Sequence, residues 1–349
     1  MKTHTHGGDI YRYQNCIDFS ANCNPLGTPD GVKQAIIECA DHLADYPQVG
    51  CAPLKEAIAA YEGVQSNQVI CGNGAADLIF SLIRARKPAH GLIPVPTFAE
   101  YEQALCTVDC QMHYFYLRPE NSFALTEDFL EVLTSEIDIV FLCNPNNPTG
   151  RTIPQNLLIR ILEKCKEMDI FLAVDECFLD FVKEPWTHTL KELLDQYENL
   201  FLLKAFTKRY AMPGVRLGYG LCGNSEVLMQ MQQMTQPWNV STLAQRAGIA
   251  ALKEEAYVEE GRQMVFEEAA FLKEHLRALG LTVIESEANY IFFKGPKDLF
   301  EKCLEQQILI RDCSNYPGLT KGYYRIAVKT RKANEQLIFA LKRILEGEQ

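Results

Sequence analysis

Residues 137–176 read "IDIVFLCNPNNPTGRTIPQNLLIRILEKCKEMDIFLAVDE", and two kinds of segment alternate along them. The apolar runs 137–143 and 170–175 each predict a buried strand, and the Asn, Pro and Gly residues of 144–150 predict a turn after the first of them. Between the strands, 154–168 has apolar residues at helical spacing. A strand, a helix and a second strand in this order predict a parallel sheet covered by helices.

The same alternation continues over residues 67–222 and predicts one large sheet. Five more apolar runs have the length of strands, at 68–71, 91–95, 111–117, 200–205 and 216–222. A helical pattern at 75–86 follows the first of these runs. We therefore expect an α/β domain with a mostly parallel, seven-stranded sheet.

After residue 240 the pattern becomes that of an α+β unit. A long helical stretch, broken near its middle, continues to about residue 279. Short strands (282–285, 289–293, 308–312 and 323–328), a helix at 298–306 and a terminal helix follow. The sequence predicts an N-terminal arm at 1–27 that is not a core element but contributes to the small domain and to the functional site. It also predicts a large domain at 28–240 and a smaller C-terminal α+β domain at 241–349.

Composition excludes several classes of protein. The chain of 349 residues has 34 Lys and Arg against 45 Asp and Glu, a net charge of −11, which argues against nucleic acid or an anionic membrane as a partner. No apolar run reaches the ~20 residues of a membrane span, and the N-terminus lacks the apolar segment of a signal peptide, so we expect a cytoplasmic protein. The 13 cysteines include no C-x-x-C, and we expect reduced, packed thiols and no metal site.

The segment "ICGNGAADLIF" (70–80) is a strand, a glycine turn and a helix. Gly72 and Gly74 let the backbone approach an anion, and the helix offers free N–H groups at its N-terminus. A dinucleotide fingerprint is the alternative, but Asp77 stands where the third glycine belongs. The segment therefore favours a phosphate site, and a nucleotide-dependent oxidoreductase remains the other interpretation.

Two strand ends carry polar residues. The "NPNNPTG" turn (144–150) holds asparagines between prolines, either as amide donors at a binding site or only as a rigid turn. Asp175 and Glu176 follow a buried strand, and a buried carboxylate there needs a partner. A capping or salt-bridged pair is the structural alternative for these two acids.

The stretch "KAFTKRYAMPGVRLGYG" (204–220) holds four cations. Lys208 follows a strand, where partial burial near other cations favours the amine form that attacks an aldehyde. Arg216 follows a Pro-Gly turn and suits a phosphate. Lys204 lies within the strand and is predicted to be a snorkelling or paired lysine, while Arg209 is left as a possible contact for a substrate phosphate.

Together these residues supply what pyridoxal 5′-phosphate (PLP) requires of a protein. PLP needs a lysine for its aldehyde, an acid that keeps the pyridine nitrogen protonated, and groups that bind its phosphate and its phenolic oxygen. Lys208 can supply the lysine and Asp175 the acid. The glycine turn and Arg216 can bind the phosphate, and the Asn turn can bind the phenolic oxygen. A PLP enzyme is therefore the favoured function.

The order of "GNGAAD", "PTFAEY", "NPNNPTG", "VDECF", "TKRYAMPGVRLGY" and "YYRIAV" resembles the PLP-dependent aspartate-aminotransferase fold over nearly the whole chain. Within that fold the chain resembles the histidinol-phosphate aminotransferase group. More narrowly, "HGGDIYRY", "DFSANCNPLG", "DECFLDF" and "IRDCSNY" are similar to the threonine-phosphate decarboxylases of cobalamin biosynthesis.

The resemblance implies a role for each matching residue. Lys208 would bind the cofactor covalently, Asp175 would pair with the pyridine nitrogen, and Asn147 would bond the phenolic oxygen and the substrate. The other implied cofactor contacts are Phe98 on the ring, and Gly74, Ala75, Thr207, Arg216 and, across a homodimer interface, Tyr46 at the phosphate. The other implied substrate contacts are Arg325 for the carboxylate and His6, Asn24 and Arg311 for the substrate phosphate. Taken alone, Phe98 and Tyr46 are better explained as packing residues.

Two activities fit this resemblance. One is decarboxylation of O-phospho-L-threonine to (R)-1-aminopropan-2-yl phosphate and carbon dioxide; the other is transamination of histidinol phosphate. The aminotransferases usually have Tyr at the place of Phe178 and Asn-Glu-Asn-Pro at the place of residues 22–25, which here read Asn-Cys-Asn-Pro. Both departures match the decarboxylases, so we expect a decarboxylase acting on a small phosphorylated amino acid.

Overall fold

The computed structural model describes residues 6–347. Its strands in chain order are β1 (Ile17–Asp18), β2 (Val69–Gly72), β3 (His90–Val95), β4 (Gln111–Tyr116), β5 (Ile139–Cys143), β6 (Phe171–Asp175), β7 (Leu200–Ala205), β8 (Gly218–Cys222), β9 (Thr282–Ile284), β10 (Tyr290–Lys294), β11 (Ile308–Leu309), β12 (Arg311–Asp312) and β13 (Tyr323–Ala327).

Its α-helices are α1 (Asp30–Glu38), α2 (Ala52–Glu62), α3 (Ala75–Arg86), α4 (Ala99–Leu105), α5 (Gln155–Glu167), α6 (Phe206–Arg209), α7 (Ser225–Gln233), α8 (Thr242–Ala251), α9 (Glu255–Ala278), α10 (Leu299–Glu305) and α11 (Arg331–Glu346). Among the described residues, no helix combines the length and the hydrophobicity that a bilayer span requires. All 13 cysteines lie in this range as free thiols, and most are buried.

The predicted seven-stranded sheet is confirmed, with strand order β2-β8-β7-β6-β5-β3-β4. Strands β3 to β7 run parallel, and β8 runs antiparallel to both of its neighbours. The carboxyl ends of β2, β5, β6 and β7 therefore meet at one edge, which is also the edge where the chain enters β8. In open α/β sheets this edge holds the ligand.

The smaller sheet has the order β12-β13-β10-β9 and is antiparallel throughout. The strand predicted at 308–312 is interrupted at Ile310: β11 pairs in parallel with β1 of the arm, and β12 pairs with β13. Phe19 of the arm is fully buried in the core of this domain. The arm thus contributes a strand and a core side chain to the small domain. The expectation that the arm is not a core element is wrong in this respect, because Phe19 is part of that core.

The predicted break in the long helical stretch lies between α8 and α9. Helix α8 packs on α1 and α2, and its Ala244 and Ala247 belong to the large-domain core. Helix α9 passes from one core to the other, since Val265 is buried in the large domain and Leu272 in the small one. The boundary at residues 240 and 241 remains a prediction.

Candidate active site

A cavity of ≈ 320 Å³ opens at the carboxyl edge of the large sheet, where the arm and the small domain face it. The structure brings ten of the predicted site residues to its wall: His6, Ala75, Phe98, Asn147, Asp175, Thr207, Lys208, Arg216, Arg311 and Arg325. Residues that are distant in sequence therefore share one cavity, as the predicted sheet topology requires.

One end of the cavity is shaped to receive an anion. Gly74 precedes α3 with a φ of +89°, and a Cβ built on it would lie 2.5 Å from Nη2 of Arg216. A Cβ on Gly218 would lie 2.6 Å from the backbone nitrogen of Ala75. The two glycines thus let the Arg216 guanidinium and strand β8 approach the N-terminus of α3, whose N–H groups have no helical acceptors.

Asp175 lies on the cavity wall and is held by two donors. Its Oδ2 accepts a hydrogen bond of 2.6 Å from the hydroxyl of Tyr101, and its Oδ1 accepts one of 2.9 Å from the N–H of Cys177. Burial raises the pKa of Asp175, while the bonds from Cys177 and Tyr101 and the charge of Lys208 act in the opposite direction. The carboxylate is therefore fixed in place and faces the cavity.

Sequence reasoning missed Tyr101, whose ring stacks on Phe141 at 4.9 Å. A signal was present, because Tyr101 follows Phe98 by three residues at the start of α4, a spacing that places two side chains on the same side of a helix. Their rings meet edge to face at 5.6 Å.

Lys208 lies in the short helix α6, which directly follows β7. Its Nζ is 5.7 Å from the centroid of the Phe178 ring, and it forms no ion pair within residues 6–347. Lys204 differs, since its Nζ lies 3.1 Å from Glu176. The prediction of a paired Lys204 is confirmed, and of the two acids after β6 it is Glu176 that forms the salt bridge.

Arg209 points away from the cavity and forms a buried ion pair with Asp180. Its guanidinium lies over the ring of Tyr61, 5.1 Å from the centroid. The suggestion that Arg209 contacts a substrate phosphate is wrong, because its side chain does not line the cavity and already has a carboxylate partner.

Arg311 and Arg325 face each other across the β12–β13 pair and are both buried in the cavity wall. Arg325 donates to Oδ1 of Asn147 and, at 2.8 Å, to the carbonyl of Ser20. Arg311 donates at 3.0 Å to Oδ1 of Asn315 and lies over the ring of Tyr316. The partners recorded for both arginines are neutral, and neither forms a salt bridge within the described part of the chain.

Asn22, which sequence reasoning passed over, also lines the cavity. With its amide oxygen facing the guanidinium, it accepts from Nε and Nη1 of Arg325 at 3.2 Å. The only signal in the sequence was its place two residues before Asn24 in the same motif, which could not tell the two asparagines apart.

Asn24 and Tyr46 do not line the cavity. The buried Asn24 amide donates at 3.0 Å to the carbonyl of Arg209, so the structure does not bring its side chain to a substrate. Tyr46 is 79% exposed and stacks on Trp238 at 4.5 Å. His6 lines the cavity with Nδ1 3.4 Å from Glu100, and burial, followed by the charge of Arg311, lowers the pKa of this histidine.

The residues present fit PLP. The cavity holds the amine of Lys208, which has no ion-pair partner in the described chain, and the fixed carboxylate of Asp175. It also holds the aromatic ring of Phe98 and the amide of Asn147. The anion site formed by Gly74, α3 and Arg216 has room for a phosphate, because Gly74 and Gly218 have no Cβ atom that would obstruct it. PLP is the cofactor of this chain.

Comparison with known proteins agrees with this site. Residues 14–341 match the family described as aminotransferase class I and II. A threonine-phosphate decarboxylase of Salmonella typhimurium is 37% identical over 98% of this chain and 97% of its own length. A histidinol-phosphate aminotransferase of Methanosphaera stadtmanae is 30% identical over 96% and 92%.

Two further likenesses concern the same group. The adenosylcobalamin biosynthesis bifunctional protein CobDQ of Leptospira interrogans is 31% identical over 99% of this chain, which spans 42% of that protein. The structure of L-threonine-O-3-phosphate decarboxylase from Porphyromonas gingivalis superimposes with a TM-score of 0.84 and 27% identity, over 94% of this chain and 99% of that one. Because the family match covers most of its length and the Salmonella typhimurium relative is 37% identical over almost the whole of both chains, this chain belongs to the class I and II aminotransferase family.

Proposed function

We propose that this chain is a PLP-dependent decarboxylase that converts O-phospho-L-threonine to (R)-1-aminopropan-2-yl phosphate and carbon dioxide, a step of cobalamin biosynthesis. The relatives named for this decarboxylation and for adenosylcobalamin biosynthesis support it. One structural observation carries it: Arg311 and Arg325 lie side by side in the cavity wall without a salt-bridge partner in residues 6–347.

Two like charges directly opposite each other on neighbouring strands repel. Burial makes this costly unless anions neutralise them. A phosphorylated amino acid carries a carboxylate and a phosphate, one for each guanidinium, and arginine can grip either group with two hydrogen bonds. Histidinol phosphate, the donor in the alternative transamination, has a phosphate but no carboxylate, although its partner 2-oxoglutarate has two. The arginine pair therefore indicates a substrate with two anionic groups, and the decarboxylase relatives support phosphothreonine as that substrate.

The roles of the individual residues are part of this proposal. Bound PLP supplies an electron sink for the pair of electrons left at the amino acid's α-carbon. Asp175 would hold the pyridine nitrogen protonated, Asn147 would donate to the phenolic oxygen, and Phe98 would cover the ring. Gly74, Ala75, Thr207 and Arg216 would bind the cofactor phosphate.

On the substrate side, Arg325 would hold the carboxylate at a fixed angle, which selects the bond that breaks. Arg311, helped by His6, would bind the phosphate. Lys208, as the ammonium that it becomes by taking a proton from the substrate's amino group, would then return a proton to the α-carbon that has lost carbon dioxide. Asn22 is the asparagine that the geometry supports as a further contact near the carboxylate, in place of Asn24.

Phe178 supports decarboxylation over transamination. Its ring lies against Tyr290 at 5.0 Å and below the Lys208 amine at 5.7 Å. A tyrosine here would add a donor toward the cofactor, as the aminotransferase pattern has it, whereas phenylalanine leaves only an apolar wall.

The deciding experiment compares two reactions of the purified, PLP-loaded protein. Incubation with O-phospho-L-threonine should release carbon dioxide in an amount equal to the amine formed, with 2-oxoglutarate neither needed nor consumed. Histidinol phosphate with 2-oxoglutarate is the control reaction. Glutamate formation from that pair, without gas release from phosphothreonine, would replace the proposal by the aminotransferase.

We also propose a cytoplasmic homodimer in which Tyr46 reaches the cofactor phosphate of the partner subunit. The exposed Tyr46–Trp238 stack supports it, as do Leu43 and Val49 nearby in the sequence, both more than half exposed. Such a group of exposed apolar side chains is typical of an interface. Sedimentation of the loaded enzyme tests the dimer, and an active monomer would refute it.

A further inference from the structure

The last two carbonyls of helix α6, those of Lys208 and Arg209, accept hydrogen bonds from the arm. Helix α6 is four residues long, so its carbonyls need partners outside a regular helix. The N–H of Asn24 donates to the carbonyl of Lys208 at 2.9 Å, and the side-chain amide of Asn24 donates to the carbonyl of Arg209 at 3.0 Å. One arm residue thus fixes two successive carbonyls, one of which belongs to the catalytic lysine.

Asn24 is itself held in place. It is 3% exposed, and its Oδ1 accepts from the N–H of Leu26 at 3.1 Å. Its amide lies against helix α9 at Gly261, where a Cβ would come within 2.8 Å of the Asn24 Cγ. The asparagine therefore has one available position, set by the arm on one side and by α9 on the other.

The same short stretch of the arm reaches the other end of the site. Ser20 accepts from Arg325 through its carbonyl at 2.8 Å, and Asn22 accepts from the same guanidinium at 3.2 Å. Residues 20–24 thus connect the backbone of Lys208 to the side chain of Arg325. The Lys208 amine has no ion-pair partner within residues 6–347, so its position is set by its backbone and by its contact with the Phe178 ring.

The side chain of Arg209 also helps to hold helix α6 in place. Its ion pair with Asp180 anchors the residue after Lys208, and the Asp180 carbonyl accepts from Nε of Arg262 on α9 at 2.8 Å. With the backbone of Lys208 and Arg209 held by Asn24 and the Arg209 side chain held by Asp180, α6 cannot rotate freely, and the lysine is directed into the cavity.

We propose that Asn24 is a positioning residue for Lys208: by bonding the carbonyls of Lys208 and Arg209, it sets the placement of the amine relative to Arg325. The proposal rests on the proposed function, since it takes Lys208 as the group that links to PLP. Displacing a reacting atom by about 1 Å can slow a reaction about 100-fold, so the amine should react much more slowly when Asn24 is altered.

The test uses the full chain after its cofactor has been removed, and it adds one of two ligands. PLP has the aldehyde that Lys208 attacks, and pyridoxamine 5′-phosphate fills the same cavity but cannot link to lysine. In Asn24→Asp the bond to Leu26 is kept and only the donor to Arg209 is replaced by an acceptor. The rate of covalent PLP uptake, followed by absorbance, should fall at least tenfold, while the affinity for pyridoxamine 5′-phosphate stays within about twofold.

Thr28→Val is the matched control. The Thr28 hydroxyl donates at 2.6 Å to the carbonyl of Ala211, so this variant removes a neighbouring bond to the segment after α6 but none to the lysine, and it should change neither readout. If Asn24→Asp folds poorly, Gly261→Ala takes its place. The new methyl group on α9 would displace the Asn24 side chain, so this variant should show the same fall in uptake rate.

Two outcomes would overturn the inference: equal uptake rates in wild type and Asn24→Asp, or equal losses of uptake rate and of pyridoxamine 5′-phosphate affinity, which a general structural defect would produce. Reduction of loaded wild type with borohydride, followed by peptide mapping, separates this inference from the proposed function. If the wild type carries no PLP on Lys208, the proposed function fails first and this inference with it.

Discussion

The hydroxyl of Tyr101 donates a hydrogen bond of 2.6 Å to Oδ2 of Asp175, deep in the sheet edge. Burial raises the pKa of this carboxyl group, and the bond from Tyr101 works against that effect. A carboxylate that is to keep a pyridine nitrogen protonated must itself stay charged. Tyr101 therefore helps to keep Asp175 charged, although Tyr101 itself does not line the cavity.

Tyr101→Phe should lower kcat about tenfold, because a hydrogen bond to a charged group contributes about 1.5 kcal/mol or more. Losing the bond raises the pKa of Asp175 further, so the decrease in rate should be largest at the acidic end of the pH profile. Steady-state kinetics between pH 5.5 and 8.5 checks this. A kcat profile that matches that of the wild type would show that Cys177 alone holds the carboxylate.

Gly74→Ala should weaken PLP binding at least tenfold, since the new Cβ would displace the Arg216 guanidinium from the anion site. Gly63→Ala is the matched control: Gly63 also has a positive φ, of +70°, but a Cβ there meets nothing within 4 Å. Both variants should lose about 1 kcal/mol of stability from the strained backbone. Only Gly74→Ala should change the PLP titration, and equal affinities in the two variants would exclude the anion site.

Arg311→Gln should raise KM for O-phospho-L-threonine about 10-fold to 100-fold, because one charged contact to the phosphate is lost. PLP binding, measured by absorbance titration, should not change, since Arg311 lies on β12 of the small domain and the anion site is formed by Gly74, α3 and Arg216 of the large domain. A loss of cofactor affinity without a change in KM would show that Arg311 binds the cofactor and not the substrate.

Glu62 should make folding stability depend on acid pH. Burial alone raises its pKa, but Lys204, Arg209 and a 2.5 Å bond from Tyr219 outweigh burial and lower the pKa to about 2. Because the folded-state pKa is below that of the unfolded chain, the stabilisation is complete above pH ~4.5 and is lost as pH falls toward 2. It amounts to about 3 kcal/mol.

Urea denaturation of wild type and Glu62→Gln at pH 7 and at pH 3 measures this contribution. The wild type should lose stability between the two pH values by more than the variant does, with other acids contributing equally to both. Parallel losses in the two proteins would mean that Glu62 titrates in the folded state as it does in the unfolded chain.

Local pattern predicted much of this protein. The apolar runs of strand length and the helical spacing at 75–86 correspond closely to β2 through β8 and α3, since buried strands and amphipathic helices are encoded by neighbouring residues. The order of Lys208, Asp175 and the glycine and asparagine turns pointed to PLP, because all follow strands whose carboxyl ends share one edge.

Side-chain partners could not be predicted in the same way. Nothing in the motif around Asn22 and Asn24 tells which amide faces the cavity, because this depends on where α6, α9 and Arg325 pack around the arm. Likewise Asp175 and Glu176 are neighbours in sequence, but only the position of Lys204 on β7 decides which acid is neutralised. Alternation along a strand sends adjacent side chains to opposite faces, and the partners on each face come from other elements.

Residue type and local spacing were thus enough to predict the α/β sheet, the small α+β domain and the set of groups that a PLP enzyme requires. The buried ion pair of Arg209, the place of Phe19 in the core, and the contacts of Tyr101, Asn22 and Asn24 around the site appear only in the folded chain. Each of these depends on contacts between segments far apart in the chain, which packing brings together and no local pattern records.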